Sequence, residues 1–381
     1  MIPYGHQSID DDDIKAVVDV LKSDYLTQGP KVKEFEEALA KKVGAKFAVA
    51  FSSGTAALEA AYFAAGLQEG DEIITSTLTF AATSNAALQL GAKVVFADIE
   101  PETGNIDPSD VLKKITNRTK AIVPVDYSGM PAKLDELSQI AKKHGLLLIE
   151  DAAHALGAEY KGPSMGSGQA KKIGSIADMT MFSFHPVKSI TTGEGGAITT
   201  NREDFYKKLS LYRTHGITKE NFKNKPEGDW HYEMTDLAQN FRLTDIQAAL
   251  GVSQLKKLDK FVEARKTIAT KYSAGFSQNK NLILPKEYEG VSSSWHLYPI
   301  RLKDTSKRAE VFKKLRDSGI GVQVHYIPVH LHPYYEGLGY KKGLCPNAEA
   351  YYAGEISIPI FPGLSQKDQN FVIEKVNEFT K

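Results

Sequence analysis

One lysine of this 381-residue chain stands in an unusual sequence context. Lys188 lies within FSFHPVKSITTGEGG, residues 182–196, between an aromatic run and a run of threonines and glycines. A lysine that attacks a carbonyl group needs a shaped, partly dry site that lowers its pKa from about 10.4. The small residues would let a planar group come close. The segment indicates a Schiff-base lysine; an ordinary solvent-exposed loop lysine is the alternative.

A second segment has residue types that suit a phosphate group. SSGTAAL, residues 52–58, follows an apolar run and opens an alanine-rich stretch. Backbone N–H groups and hydroxyls at a helix N-terminus bind phosphate well, which makes Ser53, Gly54 and Thr55 candidates. Taken alone, an ordinary helix cap explains these residues equally well.

A third segment supplies carboxylates. EDAAHA, residues 150–155, closes the apolar run LLLI. Open α/β sheets place ligands beyond the carboxyl ends of their strands, so at least one of Glu150 and Asp151 is expected to face a crevice. For an isolated Glu-Asp pair, a helix cap or a solvated pair is the alternative.

Together, the three segments change the interpretation. A phosphate cradle, a carboxylate and an amine in one crevice are the parts that hold pyridoxal 5′-phosphate. The carboxylate would keep the ring nitrogen protonated, so that the ring accepts electrons when the substrate carbon loses a proton. The sequence therefore predicts a pyridoxal-phosphate site.

Short apolar runs alternate with helical stretches and would bring these segments to one sheet edge. Strand, helix and strand in succession predict a mostly parallel sheet that is buried on both faces. Strands are predicted at 47–51, 72–76, 93–98, 120–125, 146–151, 179–184 and in GAITT (196–200), and helices at 31–43, 55–65 and 134–143. The expected large domain is α/β with a seven-stranded sheet.

The second part of the chain reads differently. A long helix is predicted from Leu243 through Val262, leading toward a smaller α+β domain. That domain is expected to contain a strand at 297–302, a helix at 306–318, a strand at 321–326 and a helix at 365–378. The predicted domains are 1–250 and 251–381.

Composition limits the classes of partner. The chain has 47 basic and 47 acidic residues, so no overall field favours nucleic acid or a membrane surface. One cysteine, Cys345, fits a reducing compartment, and neither a targeting signal nor a membrane span is recognisable, which favours the cytoplasm. A metal site built from His325, His330 and His332 is disfavoured because neither a thiolate nor an acid accompanies them.

Motifs along nearly the whole chain carry a family resemblance. They are YLTQGPKVKEFEEALA, FSSGTAAL, TLTFAATSNA, EDAAHALGA, FSFHPVKSITTGEGG, RTHGI, NFRLTDIQAALG and HYIPVHLHPYY. With them the chain resembles the DegT/DnrJ/EryC1/StrS sugar aminotransferases, which are fold-type I pyridoxal-phosphate enzymes. The family's dehydratase branch has histidine in place of the reactive lysine, so Lys188 favours amino transfer.

The resemblance implies roles for individual residues. Lys188 would bind the cofactor's aldehyde and shuttle protons, Asp151 would pair with the ring nitrogen, and His154, where many relatives have Gln, would lie near the phenolic oxygen. Phe80 would stack on the ring, with core packing as its alternative. The remaining implied cofactor contacts are Ser53, Gly54, Thr55, Ser183, His185 and Asn240. Asn240 would reach the phosphate of a neighbouring subunit, which implies a homodimer with shared sites.

The resemblance also implies a substrate. The motifs are most similar to enzymes that transfer an amino group from L-glutamate to C4 of UDP-linked 4-keto-6-deoxy-hexosamines, as in pseudaminic acid biosynthesis. Relatives acting on dTDP-sugars more often have Phe or Tyr at the His185 position, whereas Ser189 stands where the pseudaminic branch has Pro. The open alternatives are another UDP- or dTDP-linked keto sugar, a dehydratase and a non-catalytic cofactor-binding protein. Expected sugar-nucleotide contacts are Arg213, His325, Tyr326 and His330, with packing equally expected for the two histidines.

Overall fold

The computed structural model describes residues 1–163 and 169–381. Within these ranges the strands are β1 Phe47–Phe51, β2 Glu72–Ser76, β3 Lys93–Ala97, β4 Thr119–Val123, β5 Leu147–Asp151, β6 Glu159–Tyr160, β7 Lys171–Lys172, β8 Met179–Ser183, β9 Gly196–Thr200, β10 Ile217–Thr218, β11 Glu233–Met234, β12 Leu282–Ile283, β13 Val291–Ser292, β14 Tyr298–Leu302 and β15 Glu355–Ile358. The helices are α1 Asp11–Leu21, α2 Pro30–Val43, α3 Gly54–Ala64, α4 Ala82–Gln89, α5 Pro108–Lys114, α6 Leu134–His144, α7 Glu203–Arg213, α8 Asp245–Leu255, α9 Leu258–Phe276, α10 Arg308–Asp317, α11 Pro333–Gly337, α12 Pro346–Gly354 and α13 Gln366–Phe379.

A mostly parallel sheet dominates the large domain. Its seven strands lie in the order β1, β9, β8, β5, β4, β2, β3. Only β9 runs antiparallel to its neighbours, β1 and β8, and the other neighbouring pairs are parallel. The carboxyl ends of β1, β2, β4, β5 and β8 therefore meet at one edge, as the predicted α/β fold requires.

Local sequence explains how the elements next to this edge begin and end. Ser53 caps α3 by accepting a hydrogen bond from the N–H of Ala56 at 3.1 Å. Gly44 ends α2 in the left-handed conformation with φ of 77°, which glycine adopts at little cost. The predicted helix 31–43 and strand 47–51 are confirmed within one residue.

The predicted long helix from Leu243 to Val262 is wrong in one respect, because it is two helices. α8 ends at Leu255 and α9 starts at Leu258. Lys257, at the junction, is held by the carboxylates of Asp10 and Asp13 at 2.6 and 2.7 Å. The two helices turn apolar residues toward different neighbours, α8 toward α1 and α2 and the later part of α9 toward the second core.

The second core lies in the last third of the chain. Its sheet has the order β12, β14, β15 with antiparallel pairs, and α9, α10 and α13 pack around it. The expected strand at 321–326 is wrong, since only Gln323 forms a single bridge, to Ser357. The strand that pairs with β14 is instead β15, Glu355–Ile358. Its buried Glu355 and Ser357 interrupt the apolar run that would have revealed it.

The predicted boundary between residues 250 and 251 stays a prediction. Phe261 and Val262 of α9 pack in the core of the first domain, whereas Ile268 and the residues after it pack in the second. Across the described ranges, no helix combines the length and apolar character needed to cross a membrane.

Candidate active site

A cavity of about 500 Å³ opens at the edge where the carboxyl ends of the strands meet. Both domains line it. The large domain contributes Ser53, Gly54, Thr55, Phe80, Thr83, Asp151, His154, Ser183, His185 and Lys188, the last part of the chain contributes His296, His325 and Tyr326, and the N-terminal segment contributes Tyr4. The structure thus brings the three chemistry-bearing segments of the sequence together in one place.

Lys188 occupies the loop that follows β8. Its backbone N–H donates to the carbonyl of His185 at 2.9 Å, and the nearby Thr191 hydroxyl donates to the carbonyl of Phe184 at 3.0 Å, so the loop is closed by its own hydrogen bonds. The pKa of Lys188 is lowered to about 8, mainly by burial; the charge of Asp151 opposes this shift and that of Arg265 adds to it. A pKa this low leaves a useful fraction of neutral, nucleophilic amine near neutral pH.

Asp151 ends β5 and is only 4% exposed. The Thr83 hydroxyl donates to its Oδ2 at 2.7 Å and the Ala153 N–H donates to its Oδ1 at 3.2 Å. Burial raises the pKa of Asp151, while these two hydrogen bonds and the charge of Lys188 lower it. The hydrogen bonds fix the orientation of a carboxylate that can accept a further hydrogen bond from the cavity.

The N-terminus of α3 approaches β8 so closely that glycine is favoured at Gly54. A Cβ on Gly54 would lie 3.2 Å from the Cβ of Ser183 and 3.4 Å from the Sδ of Met181. Gly196 is under greater constraint, because a Cβ there would lie 2.4 Å from the carbonyl oxygen of Ser53. The result is a compact cradle of backbone N–H groups and hydroxyls at a helix N-terminus, which suits a phosphate.

His154 presents an unpaired nitrogen. Its Nε2 contacts the Tyr326 hydroxyl at 3.0 Å, whereas its buried Nδ1 has no partner among the described residues. The ring lies 4.3 Å from that of His296, whose Nδ1 is likewise unpartnered. Burial lowers the pKa of both imidazoles well below the usual value, so both are neutral.

These residues fit pyridoxal phosphate. Lys188 suits its aldehyde, Asp151 its ring nitrogen and the α3 N-terminus its phosphate, and the orphaned Nδ1 of His154 offers a polar contact beside them. Phe80 borders the cavity with its side chain 65% exposed and its ring 6.2 Å from that of Tyr326. It is therefore not packed in a core within this chain and has a face available for stacking.

Three of the residues expected near cofactor or substrate do not line this cavity. Arg213 forms an ion pair with Glu36 and donates to the carbonyl of Ala50 at 3.0 Å, so its guanidinium is bonded to groups outside the cavity. His330 is completely buried between Thr77 at 2.7 Å and Glu349 at 2.9 Å, so packing and not substrate contact explains it. Asn240 lies at the surface, and its backbone forms an isolated antiparallel β-bridge with that of Thr214.

The three histidines considered for a metal do not form a site. His330 is bonded as described above, and His325 binds Ser357 through Nδ1 at 2.8 Å. In residues 1–163 and 169–381 no group of three or more histidine, cysteine or acidic side chains is arranged to hold a metal ion.

Sequence reasoning missed Thr83 and His296, which line the cavity, and Arg265, a buried charge outside the cavity lining. Thr83 holds Asp151 across 68 positions of sequence, and no local pattern distinguishes it from an ordinary helix threonine. His296 follows Trp295 at the start of an apolar strand and reads as a core residue. Arg265 lies in α9 without a carboxylate partner among the described residues, and its Nη1 donates to the carbonyls of His296 and Ile360 at 3.1 and 2.8 Å. Its long-range charge on Lys188 has no signal in the sequence.

Comparisons with known proteins agree with this geometry. A family model described as the DegT/DnrJ/EryC1/StrS aminotransferase family matches residues 7–377. The UDP-4-amino-4,6-dideoxy-N-acetyl-beta-L-altrosamine transaminase of Campylobacter jejuni subsp. jejuni serotype O:23/36 is 44% identical over 377 residues, covering 98% of this chain and 96% of that protein.

Solved structures are similar over the full length. Helicobacter pylori PseC, an aminotransferase involved in the biosynthesis of pseudoaminic acid, has a TM-score of 0.91 at 36% identity, with 100% of this chain and 99% of that chain covered. The PLP-form of the putative sugar aminotransferase Spr1654 from Streptococcus pneumoniae has a TM-score of 0.92 at 32% identity, with 100% and 98% covered. This chain therefore belongs to the DegT/DnrJ/EryC1/StrS aminotransferase family and is a pyridoxal-phosphate enzyme.

Proposed function

We propose that the chain transfers an amino group from L-glutamate to C4 of a UDP-linked 4-keto-6-deoxy-N-acetylhexosamine, for a bacterial surface glycan of the pseudaminic acid type. The observation that carries the proposal is the joint placement of Lys188, Asp151 and the α3 N-terminus in one cavity. The choice of sugar nucleotide is supported by the 44% identity with a transaminase named for a UDP-linked 4-amino-4,6-dideoxy sugar.

The chain's own residues divide the chemistry between them. Bound pyridoxal phosphate supplies an aldehyde that carries the amino group and a ring that accepts electrons from the substrate carbon. Asp151 keeps the proton on the ring nitrogen, and the Thr83 hydroxyl keeps Asp151 in position. Lys188, once free, has an amine whose pKa of about 8 lets it take a proton from the substrate carbon and return it.

The cavity of a single chain has few positive charges for its substrates. Glutamate carries two carboxylates and UDP a diphosphate, yet Lys188 is the one lysine or arginine among the described residues that line the cavity. The two flanking histidines, His154 and His325, are held neutral by burial, which lowers their pKa values. A second copy of the chain would supply the missing cations and would place Asn240 at the phosphate.

We propose a homodimer for this reason, and an exposed apolar segment supports it. Trp230 and Leu237 are 74% and 85% exposed, and Tyr232 and Met234 are exposed beside them. Such a group on one short segment is typical of a protein interface. Sedimentation analysis is expected to give twice the 41.9 kDa chain mass, and a Trp230→Asp/Leu237→Asp variant is expected to sediment as a monomer with impaired turnover.

A labelling experiment tests the reaction. With ¹⁵N-L-glutamate and a UDP-4-keto-6-deoxy-N-acetylhexosamine, the sugar product is expected to carry ¹⁵N at C4, and 2-oxoglutarate is expected to form in equal amount. The matching dTDP-linked keto sugar is the control, because its preferred use would overturn the UDP assignment while keeping the amino transfer. Sugar conversion without consumption of glutamate would instead identify a dehydratase.

A further inference from the structure

A second buried carboxylate reaches the cavity through two side chains. Glu355 and Ser357 stand two positions apart on β15, so their side chains share one face of the strand, and both are completely buried. The Ser357 Oγ lies 2.5 Å from the Glu355 Oε1 and 2.8 Å from the Nδ1 of His325. The backbone N–H of His325 donates to the other oxygen, Oε2, at 2.7 Å. The side chains of Glu355, Ser357 and His325 are thus joined in a row by hydrogen bonds, which we call the line.

His325 is the end of this line that meets the active site. Its ring lines the cavity. Its backbone carbonyl accepts a hydrogen bond from the Tyr127 hydroxyl at 2.5 Å, which holds the main chain at His325 in place. With Nδ1 bonded to Ser357, the nitrogen left for the cavity is Nε2. Nε2 has no hydrogen-bond partner among the described residues, and it is not completely buried. It is therefore accessible to a group in the cavity.

Counting protons shows that the line has two states. A serine hydroxyl has one proton to donate. When Glu355 is ionised, Ser357 donates to Glu355 and the Nδ1–H of His325 donates to Ser357, so Nε2 is an acceptor. When Glu355 is protonated, it donates to Ser357, which donates to Nδ1, so Nε2 carries the proton and is a donor.

We propose that Glu355, Ser357 and His325 form a proton relay that sets the tautomer of His325 and, through Nε2, exchanges a proton with the substrate during amino transfer. His325 is the catalytic residue of the relay, and Ser357 and Glu355 are positioning residues. The catalytic part rests on the function proposed above, whereas the tautomer part stands on the geometry of this chain alone.

The proton balance is simple. As Nε2 gives its proton to a base in the cavity, the Ser357 proton moves to Nδ1 and the Glu355 proton moves to the Ser357 oxygen. Glu355 ends as a carboxylate, and His325 is neutral before and after. Return of a proton to Nε2 reverses each transfer, and no further reactant is needed.

Burial shifts the pKa values of Glu355 and His325 in directions that allow both states. It raises the pKa of Glu355 to about 8, and it lowers the pKa of His325 to about 3, so the ring itself stays neutral. Below the Glu355 pKa the donor state of Nε2 is populated, and above it the acceptor state. The ionisable and charged groups that face the relay are Arg308, Tyr127, Tyr351 and Tyr326 near Glu355, and Lys188, Tyr4, His154 and His296 near His325.

Because Lys188 also titrates near pH 8, activity alone would not isolate the relay. The direct readout is the ¹⁵N spectrum of histidine-labelled, cofactor-loaded enzyme between pH 6 and pH 10, with the His325 signals assigned by their loss in His325→Gln. The wild type is expected to change from the Nε2–H to the Nδ1–H tautomer as pH rises. Glu355→Gln, whose amide donates permanently, is expected to stay Nε2–H throughout.

Variants at the middle of the line sharpen the test. Ser357→Ala is expected to abolish the pH-dependent tautomer change and to lower kcat by roughly 100-fold, the lower end of the usual range for an acid–base contribution. Ser357→Thr, which keeps the hydroxyl, is expected to restore both, and Ser253→Ala is a matched control at a buried serine on α8.

The outcomes separate the two proposals. A His325 tautomer that ignores pH in the wild type, or one that still changes with pH in Glu355→Gln, overturns the relay. A normal tautomer change with no effect of Ser357→Ala on kcat overturns its catalytic part. A normal tautomer change in an enzyme that does not use the UDP-keto sugar leaves the relay in place and overturns the proposed substrate instead.

Discussion

The two walls of the cavity are built differently. On the large-domain wall, Lys188, Asp151 and the α3 N-terminus each lie at or just after the end of a strand of one sheet, so the sheet itself sets their spacing. On the opposite wall, His325 and Tyr326 lie in an irregular segment, and their side chains bond to Ser357 and His154. The difference separates a fixed wall that suits the cofactor from an irregular wall that we assign to the sugar.

The largest expected effect is at the reactive amine. Lys188→Ala is expected to abolish turnover and the visible absorption of lysine-bound cofactor, because no other lysine lines the cavity among the described residues. Absorption spectra and a glutamate-dependent assay measure both. Lys41→Ala, at an exposed lysine on α2, is the control and should retain both properties. A Lys188→Ala protein that kept both the visible absorption and the activity would show that the large-domain wall does not carry the reaction.

The next effect is at Asp151. Asp151→Asn is expected to keep the cofactor bound but to lower kcat by about 100-fold to 1000-fold, the size seen when one preorganised electrostatic contact is lost. Single-turnover kinetics would show the loss in proton removal. Glu150→Gln is a matched control, because adjacent residues of a strand point to opposite faces and Glu150 does not line the cavity. Equal rates for the two variants would mean that Asp151 is not the partner of the ring.

A smaller effect is expected at Thr83, which positions Asp151. Thr83→Val removes the 2.7 Å hydrogen bond to the carboxylate, and a hydrogen bond to a charged group contributes roughly 1.5–3 kcal/mol. We expect kcat to fall about tenfold to 100-fold with little change in KM. Thr83→Ser keeps the hydroxyl and should recover most of the rate. A rise in KM with an unchanged kcat would indicate that Thr83 acts in substrate binding instead.

The smallest effect is a shift in pH dependence. Because the neutral amine attacks the cofactor's aldehyde, and burial lowers the pKa of Lys188 to about 8, capture of pyridoxal phosphate by the apoenzyme should accelerate as pH rises, with a midpoint near 8. Stopped-flow absorbance from pH 6 to 10 measures this. A rate still rising steeply at pH 10 would show that the lysine keeps its ordinary pKa.

Sequence reasoning succeeded mainly on the large-domain wall. Apolar strand runs and the short motifs after them are local signals, so the strand ends near Ser53, Asp151 and Ser183 were predictable to within a residue or two. The other wall depends on contacts between distant positions. β15 hides buried polar residues within its run, and His330 differs from His325 only in what folds around it.

Residue type alone was also insufficient for Arg213. An arginine suits a phosphate or a carboxylate by its chemistry, but Glu36, 177 positions away, pairs with it in the fold. The same limit applies to Thr83 of α4, whose hydroxyl gains its role from Asp151 at the end of β5. Such pairings arise from tertiary packing and leave no periodic pattern for the sequence to show.

We propose that one cavity performs both halves of an amino transfer between glutamate and a UDP-keto sugar. The visible absorption spectrum of the cofactor-loaded protein tests it most directly, followed through addition of L-glutamate and then of a UDP-4-keto-6-deoxy-N-acetylhexosamine. We predict that glutamate bleaches the band of the lysine-bound cofactor and that the keto sugar restores it. A band that glutamate leaves unchanged would show that this cavity does not accept the amino group, and a band that only a dTDP-linked sugar restores would rule out the UDP-linked substrate.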